Sequence, residues 1–364
     1  MKIAVVTWLI NDVGGINSWT ENFIEGAKQL GHTLELFYST SQNRLNCDEH
    51  AKICRGRFDL LPAKHLSYRD KFLSDSLKTL QPFDSIVFAH PSPHPTKQHT
   101  GFAEERNWQK LYTDTKQRKL AVFHDRHWNR TNSWFAEVRD HVDYAHAAQH
   151  HFIDAVAEYC RGKIPYDWGM FPLKMIGNNF QKKRRIVWPT QWLSIKNHRY
   201  LVPDLYKIRI PVDAYGGGQT YHTLLEEIKK VFRDDYHGGI KKTYNPNSIH
   251  TYYGHVEYTK LLSALKEAWF SLDLSCQGMT NMTHWEPLTT GTVSVLENRV
   301  LLDKYCEIPQ DCCLALNLDN VAEELDRISK TPMTQLKTIT ERAWKYVQKC
   351  DSKRVVKEIL SKAF

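Results

Sequence analysis

Two histidines, an aspartate and two arginines follow a short apolar run in the segment KLAVFHDRHWNRTN, residues 119–132. The apolar run predicts a buried strand, so His124 and Asp125 come at its carboxyl end. The HxxH spacing around an aspartate, with no cysteine nearby, fits no zinc pattern. A histidine beside a carboxylate at a strand end is better suited to accept or steer a proton. The alternative is a charged loop without chemistry, which would also accommodate the remaining polar side chains Arg126, His127 and Arg130.

Two glycines, Gly14 and Gly15, lie between an apolar first strand and a predicted helix. Ser18 and Glu21 have the spacing of a capping box, which predicts that the helix begins at Ser18. Backbone N–H groups in such a turn, together with the helix N-terminus, can bind an anion without obstruction by side chains. The pattern is neither GxGxxG nor a Walker loop, and a purely structural turn is the alternative.

A third group of candidates comes late in the chain. Glu286 stands near a predicted helix start, and Gly291 and a buried strand follow it. Its two carboxylate oxygens match the two vicinal hydroxyls of a ribose, although a glutamate stabilised by the helix dipole is the alternative. His255 ends an earlier strand, and ligands bind at the carboxyl ends of strands in open α/β sheets. Ordinary packing is the alternative there.

The predicted elements that position these residues alternate between strands and helices, which indicates parallel α/β sheets. The opening of the chain predicts one βαβ unit. A basic break in the segment NNFQKKRRIVWP suggests a second α/β domain, so we expect domains at residues 1–181 and 182–345, with a helix in 346–364 that packs back on the first. Further strand-like runs are Ser85–Ala89, Lys119–Phe123, Tyr144–Ala148, Ile208–Val212, Thr251–Tyr253, Phe270–Leu274, Val293–Leu296 and Leu314–Asn317.

The composition favours an acidic partner. With 364 residues, 41% of them hydrophobic, the chain can bury two cores. The formal net charge of +8 and the 18 histidines favour a nucleic acid or a nucleotide as partner, while a solvated lysine-rich surface is the alternative. The eight cysteines form no CxxC pair and no apolar run is long enough to span a bilayer, so we expect reduced thiols, no membrane contact and a cytoplasmic location.

Four segments together resemble a known family. They are VGGINSWTENFIEGAKQLGHTLELFY, LAVFHDRHW, VDYAHAAQHHFIDAV and MTHWEPLTTGTVSV. The chain is similar to GT-B glycosyltransferases, and within them to the DNA α-glucosyltransferases of T-even bacteriophages. The last segment is the most specific, since His284, Glu286, Gly291 and Thr292 keep the family's spacing. The resemblance implies two Rossmann-like domains that face each other across a cleft, the first for the DNA acceptor and the second for the nucleotide sugar.

The resemblance also implies roles for individual residues. His124 and Asp125 become the catalytic pair near the reacting sugar. The implied donor-binding residues are Gly14, Gly15, Lys196, His255, Glu286, Thr289 and Gly291, and the implied DNA-binding residues are Arg126, His127, Arg130, Lys182, Lys183 and Arg184. Two positions depart from the family, because Pro189 stands where an arginine binds the diphosphate and Gly278 replaces a glutamate of many retaining relatives. The identity of the sugar is therefore open.

The function implied by the resemblance is retaining transfer of a hexose or pentose from a UDP-sugar, with UDP-glucose as the first choice. The acceptor is the hydroxymethyl group of 5-hydroxymethylcytosine in double-stranded DNA, flipped out of the stack. We expect a monomer that needs no metal or further cofactor and works in the cytoplasm, that of the host cell if the protein is viral. The alternatives are a lipid-linked or polysaccharide acceptor, an already glycosylated base, or a nucleotide-binding module without catalysis.

Overall fold

The computed structural model describes residues 1–7, 15–40, 63–67, 70–89, 102–124, 138–148, 153–168, 171–189, 202–215, 230–234, 245–254, 256, 258–274, 282–302 and 306–364. The chain divides into two compact units. Unit 1 comprises Met1–Lys174 and Lys349–Phe364, and unit 2 comprises Met175–Gln348. From the sequence we expected the first domain to extend to residue 181 and the last segment to start at residue 346.

Unit 1 contains a parallel sheet of seven strands in the order β3-β2-β1-β4-β5-β6-β7. The strand order reverses at β1, which is the kind of switch point where ligands bind in open α/β sheets. The strands are β1 (Lys2–Thr7), β2 (Thr33–Thr40), β3 (Ala63–Ser67), β4 (Ser85–Phe88), β5 (Arg118–Phe123), β6 (Tyr144–Ala147) and β7 (Tyr166–Trp168). The helices described before the second unit are α1 (Gly15–Gln29), α2 (Asp70–Leu80), α3 (Phe102–Thr113), α4 (Ile153–Cys160) and a 3₁₀ turn at Arg139–His141.

Helix α1 begins earlier than its sequence predicts. It starts at Gly15, so Ser18 lies inside the helix and the expected capping box is wrong. Ser18 is 3% exposed, which means that burial rather than capping accounts for a small polar residue at this position. Trp19 and Phe23, which are spaced as on one face of a helix, are fully buried, and Gly31, at φ 81°, follows the helix end.

Unit 2 contains a second parallel sheet of seven strands in the order β10-β11-β9-β8-β12-β13-β14. Its strands are β8 (Lys183–Pro189), β9 (Val212–Tyr215), β10 (Arg233–Asp234), β11 (Thr251–Gly254), β12 (Ala268–Leu272), β13 (Val293–Glu297) and β14 (Cys313–Leu316). Its α-helices are α5 (Tyr258–Glu267), α6 (Met282–Trp285), α7 (Asn298–Leu301), α8 (Val321–Ser329) and α9 (Met333–Val347). Short 3₁₀ helices lie at Val202–Lys207, Glu286–Thr290, Gln310–Cys312 and Leu318–Asn320, and one more, Gln348–Cys350, follows α9.

The strand expected at Ile208–Val212 is displaced. Only Val212 belongs to β9, although Ile208 and Ile210 are buried as their apolar character suggests. Pro211 explains the boundary, because proline has no N–H to donate to a ladder. Its carbonyl still accepts a hydrogen bond from the Ile186 N–H, at 2.9 Å, and regular pairing with β8 begins at the next residue.

The C-terminal helix α10 (Ser352–Ala363) belongs to unit 1 and packs closely against α1. A Cβ atom on Gly26 of α1 would lie 2.4 Å from the Ser352 carbonyl oxygen, so only glycine permits this approach. The entry to the helix is fixed by two backbone hydrogen bonds, from Ser352 N–H to the Leu173 carbonyl and from Leu173 N–H to the Cys350 carbonyl. None of the helices described in the structure is long and apolar enough to cross a membrane.

Candidate functional site

In unit 1, His124 directly follows β5 at the carboxyl end of the sheet and is 6% exposed. Its imidazole ring meets the indole ring of Trp19 edge-on, with centroids 5.4 Å apart and planes inclined by 79°. Trp19 is carried by α1, whose N-terminal residue is Gly15. Packing between strand end and helix therefore brings the histidine that the sequence singles out next to the helix expected to bind an anion.

A second histidine, His146, shares this environment. It lies on β6 opposite Val122 of β5, and because side chains alternate along strands, His146 and His124 project from the same face of the sheet. Its ring centroid is 6.4 Å from that of Trp19, and the residue is 1% exposed. None of the four imidazole nitrogens makes a hydrogen bond of normal geometry with the described atoms, although the Ala89 backbone comes near enough to the His124 ring to affect its pKa. In the sequence, His146 stands only as a polar residue within an otherwise apolar strand, a pattern that carries no sign of its position beside His124 and Trp19.

Burial determines the protonation state of both rings. It lowers the pKa of His124 to about 3, to which the nearby His146 also contributes, while the Ala89 carbonyl acts in the opposite direction. Burial likewise lowers the pKa of His146 to about 4, against a weaker opposing effect of Asp167. Both imidazoles are therefore neutral at pH 7. A neutral imidazole can accept a hydrogen bond from a hydroxyl group, whereas an imidazolium cannot.

Gly15 is the first residue of α1, a helix of 15 residues without an acidic side chain in its first turn. The first N–H groups of a helix have no partner within it, and the helix dipole favours negative charge at this end. Gly15 adds no side chain that would hinder the approach of an anion. The helix N-terminus is thus chemically suited to a phosphate group.

In unit 2, Glu286 begins the 3₁₀ helix Glu286–Thr290 that follows α6, and it is 3% exposed. The hydroxyl of Tyr258, the first residue of α5, donates a hydrogen bond of 2.6 Å to Glu286 Oε1. In the sequence, the spacing of Tyr258 with Leu261 and Leu265 indicates only the apolar face of a helix. A contact between residues so far apart in the chain leaves no signal in the spacing of either segment.

The turn that carries Glu286 is held by its other residues. The Thr289 hydroxyl donates to the Glu286 carbonyl at 2.8 Å, and the Thr289 carbonyl accepts from the N–H groups of Ile176 and Gly177. Gly291 ends the turn at φ 67°, and a Cβ atom there would lie 2.0 Å from Asn178 Oδ1. Thr289 and Gly291 therefore fix the geometry of the turn, and a direct role of either in donor binding stays a prediction.

Helix α6 is anchored to the carboxyl end of β12. Asp273, just after β12, accepts a hydrogen bond from the Thr283 hydroxyl, and His284 Nε2 lies 3.8 Å from Asp273 Oδ2 and 3.4 Å from its carbonyl oxygen. The side chains of Asp273 and His284 are fully buried. Glu286 comes two residues after His284, so the contacts of α6 with Asp273 also position the backbone of Glu286.

The three basic residues at the start of β8, Lys182 just before it and Lys183 and Arg184 within it, have different environments. The Lys182 ammonium donates to the carbonyls of Lys266 and Thr290 at 2.7 and 3.0 Å, and burial, with the positive charge of Lys266, lowers its pKa to about 7. Arg184 donates to the carbonyls of Ser329, the last residue of α8, and of Thr331. Lys183 is largely exposed and lies 3.5 Å from Glu267. DNA contacts of these three residues stay predictions, and Lys183 and Arg184 are the two exposed ones.

Several predicted site residues lie outside the described part of the chain, so their roles stay predictions. They are Gly14, Asp125, Arg126, His127, Arg130, Lys196 and His255. Among the residues that are described, no three histidine, cysteine, aspartate or glutamate side chains are grouped so as to hold a metal ion.

Comparison with solved structures identifies the architecture. No protein-family model matches the chain, and no curated protein matches it significantly in sequence. An alpha-glucosyltransferase in complex with UDP superimposes with a TM-score of 0.74 at 11% identity, covering 100% of this chain and 99% of that one. An alpha-glucosyltransferase bound to UDP-glucose and to DNA with an abasic site has a TM-score of 0.71 at 12% identity, with the same coverage. HepE from Anabaena in complex with UDP has a TM-score of 0.63 at 11% identity, again covering 100% and 99%.

At such low sequence identities the likeness concerns the fold. The match covers the full length of this chain and therefore includes both units, each with its parallel sheet. The chain therefore has the GT-B fold, the two-domain architecture of the glycosyltransferases that it resembles in structure.

Proposed function

We propose that this protein is a retaining glycosyltransferase that transfers a sugar, glucose in the first place, from a UDP-sugar to 5-hydroxymethylcytosine in double-stranded DNA. The observation that carries the proposal is the full-length match, at a TM-score of 0.74, to an alpha-glucosyltransferase in complex with UDP. Another matching structure of this kind contains UDP-glucose and DNA. A DNA acceptor is also consistent with the proposed cytoplasmic location, which is that of the host cell if the protein is viral.

Two groups that the sequence singles out are proposed to bind the UDP-sugar. The N-terminus of α1 at Gly15 binds the diphosphate, and the Glu286 carboxylate binds the ribose hydroxyls. Transfer breaks the bond between the sugar C1 and the diphosphate oxygen, so negative charge grows on the departing UDP. Preoriented N–H dipoles and cations stabilise such a leaving group. Gly14, Lys196 and His255 are proposed to complete this donor site, together with the Thr289–Gly291 turn.

On the acceptor side, His124 and Asp125 are proposed to orient the hydroxymethyl group. With a pKa of about 3, the His124 imidazole is neutral at pH 7 but holds a proton only weakly. Its environment therefore favours a role as hydrogen-bond acceptor that directs the hydroxyl oxygen toward C1. The hydroxyl proton then passes to a stronger base, and the departing diphosphate becomes one as the bond breaks. The new bond joins C1 to the hydroxymethyl oxygen on the face that UDP leaves.

A base inside a duplex cannot reach such a site, so the modified cytosine must be flipped out. Arg126, His127 and Arg130 follow His124 in the chain and are proposed to contact the DNA around the flipped base. Lys182, Lys183 and Arg184 form a second basic segment with the same proposed partner. The net charge of +8 supports a polyanionic acceptor.

The test is incubation of the protein with UDP-glucose and other UDP-sugars on three DNA duplexes, followed by mass spectrometry of the nucleosides. The duplexes contain 5-hydroxymethylcytosine, 5-hydroxymethyluracil or unmodified bases. We expect a gain of one hexose on hydroxymethylcytosine only. The His124→Ala variant should retain UDP binding and transfer the sugar more slowly, because the acceptor hydroxyl loses the hydrogen bond that directs it toward C1. No gain on either modified duplex with any donor would refute a DNA acceptor.

A further inference from the structure

Tyr258 and Glu286 form a buried hydrogen-bonded pair in unit 2. Both residues are 3% exposed, and the phenol oxygen lies 2.6 Å from Glu286 Oε1. Burying a carboxylate costs free energy unless hydrogen bonds compensate for lost water. A hydroxyl that donates to a carboxylate at this distance makes one of the stronger hydrogen bonds in proteins. The phenol hydroxyl therefore stabilises the charged form of a buried Glu286.

The two partners are fixed independently from their backbones. Tyr258 begins α5, and the other residues of its helix face, Leu261, Leu262 and Leu265, are buried. The Glu286 carbonyl accepts from the Thr289 hydroxyl, and the preceding helix α6 is tied to Asp273. A fixed backbone does not fix the rotation of the carboxylate, because the last side-chain torsion of glutamate, χ3, has a broad range of favourable values. The hydrogen bond from Tyr258 restricts that rotation.

We propose that Tyr258 is a positioning residue that orients Glu286 and thereby sets a preference for ribose over 2′-deoxyribose in the donor. The inference rests on the proposed function, in which Glu286 binds the ribose. Two vicinal hydroxyls are recognised together only when the carboxylate plane has one orientation, whereas a single hydroxyl tolerates several. A site that hydrogen-bonds a hydroxyl rejects the analogue without it, because a buried polar group is left unpaired. A carboxylate that has lost this hydrogen bond is held less firmly and discriminates less.

The experiment measures the Kd of UDP and of 2′-deoxy-UDP by calorimetry for four proteins: the unmodified chain, Tyr258→Phe, Glu286→Ala and the double variant. Phenylalanine keeps the ring that packs in unit 2 and removes only the hydroxyl. We expect Tyr258→Phe to weaken UDP binding about tenfold, which is about 1.4 kcal/mol, and 2′-deoxy-UDP binding less than about threefold. Glu286→Ala should abolish the preference for UDP, and Tyr258→Phe should then add nothing, since coupled residues are non-additive.

A matched control is Tyr112→Phe, which removes the hydroxyl of a fully buried tyrosine in unit 1 that stacks on Phe88 at 3.9 Å. It should leave both dissociation constants unchanged. If Tyr258→Phe does not fold, Tyr258→Leu serves instead, because it also removes the hydroxyl and keeps an apolar side chain on the buried face of α5. It should reduce the preference for UDP in the same way.

Three results are distinguishable. If Tyr258→Phe weakens the binding of UDP and of 2′-deoxy-UDP by the same factor, the tyrosine is merely structural and the inference is wrong. The same holds if the loss of binding free energy in the double variant is the sum of the losses in Tyr258→Phe and Glu286→Ala. If Glu286→Ala loses the preference for UDP and Tyr258→Phe keeps it, the inference is again wrong while the proposed role of Glu286 stands. If the unmodified chain binds no UDP, the proposed function itself fails.

Discussion

At the scale of single residues, the paired histidines of unit 1 make a prediction about acid stability. The folded chain keeps His124 and His146 neutral down to a pKa of about 3 and about 4. In the unfolded chain a histidine binds a proton below about pH 6.5. Below that pH the unfolded state therefore holds more protons, so the free energy of unfolding decreases as the pH falls from 6.5 toward 4.

The variant His146→Gln tests this argument, because glutamine does not titrate. Between pH 7 and pH 5 each buried histidine should remove about 2 kcal/mol from the free energy of unfolding, and the variant should lose about 2 kcal/mol less than the unmodified chain. Urea unfolding at the two pH values measures the difference. The exposed His141→Gln, on the 3₁₀ turn Arg139–His141, is the control and should change nothing. An unchanged pH dependence in His146→Gln would contradict a neutral buried imidazole.

The residues also show how far sequence reasoning reaches at a site. Residue type and position at a strand end identify His124, and the turn chemistry identifies Gly15, because both signals are local. Tyr258 is different, since its partner Glu286 is 28 positions away and only the folded sheet brings them together. The burial of His146 is equally non-local, because it depends on Trp19 of α1. Individual partners of this kind require the structure.

At the scale of elements, the packing of α10 on α1 depends on Gly26. A methyl group at this position would lie 2.4 Å from the Ser352 carbonyl and 2.8 Å from Val356 Cγ2. Alanine favours a helix more than glycine does, so a loose contact would make Gly26→Ala stabilising. We expect the opposite, a loss of about 1–3 kcal/mol in the free energy of unfolding, the range for overpacking.

Chemical denaturation measures this change, and limited proteolysis should release the C-terminal helix faster in Gly26→Ala. The control is Gln29→Ala on the exposed face of the same helix, which should shift stability by no more than about 0.5 kcal/mol. A Gly26→Ala variant as stable as the control would show that α10 does not approach α1 this closely.

The turn at Gly291 makes a second prediction at this scale. Gly291→Ala suffers both from the positive φ of 67° and from the approach to Asn178. We expect the variant to lose about 2–4 kcal/mol of stability, the sum of about 1–2 for the left-handed conformation and the rest for the collision. It should also weaken UDP binding, because the turn carries Glu286. Adding Asn178→Gly should recover part of the stability, which thermal unfolding of the single and double variants measures; no recovery would mean that Asn178 is not in the way.

Most strands were predictable from their apolar runs, and the errors have identifiable causes. Parallel strands buried on both faces give continuous apolar segments, which is why β1, β4, β5 and β6 are recognisable. The strand predicted at residues 208–212 was wrong because Pro211 interrupts the pairing of strands, and the apolar residues before it are apolar because they are buried. The predicted start of α1 was wrong because Ser18, a residue type that often caps helices, is here a buried residue inside the helix.

At the scale of the whole molecule, the fold survives a sequence identity of 11% to an alpha-glucosyltransferase. What persists at such distance is the alternation of strands and helices. This alternation is visible in the sequence, so the fold class was predictable. The acceptor depends on the chemistry of individual side chains, which the fold leaves free to vary.

The net charge of +8 leads to a prediction about DNA binding. Neutralised phosphates release counterions, so the logarithm of the association constant should fall linearly with the logarithm of the salt concentration. Fluorescence anisotropy with hydroxymethylated duplex DNA measures this slope. Lys183→Ala should reduce its magnitude by about one if the exposed ammonium contacts a phosphate. Lys78→Ala, an exposed lysine on α2, is the control and should leave the slope unchanged; equal slopes in all three proteins would exclude Lys183 from the interface.

The central claim is retaining transfer of a sugar to hydroxymethylated DNA, and one measurement tests it directly. Hydroxymethylcytosine duplex DNA is incubated with the protein and UDP-glucose, digested to nucleosides, and the modified nucleoside is isolated for proton NMR of its anomeric centre. The glucose of UDP-glucose is α-linked, so we predict an α-glucosyl group on the hydroxymethyl oxygen. A β-linked glucose would contradict retention, and hydroxymethylcytosine without any glucose would contradict the proposed transfer itself.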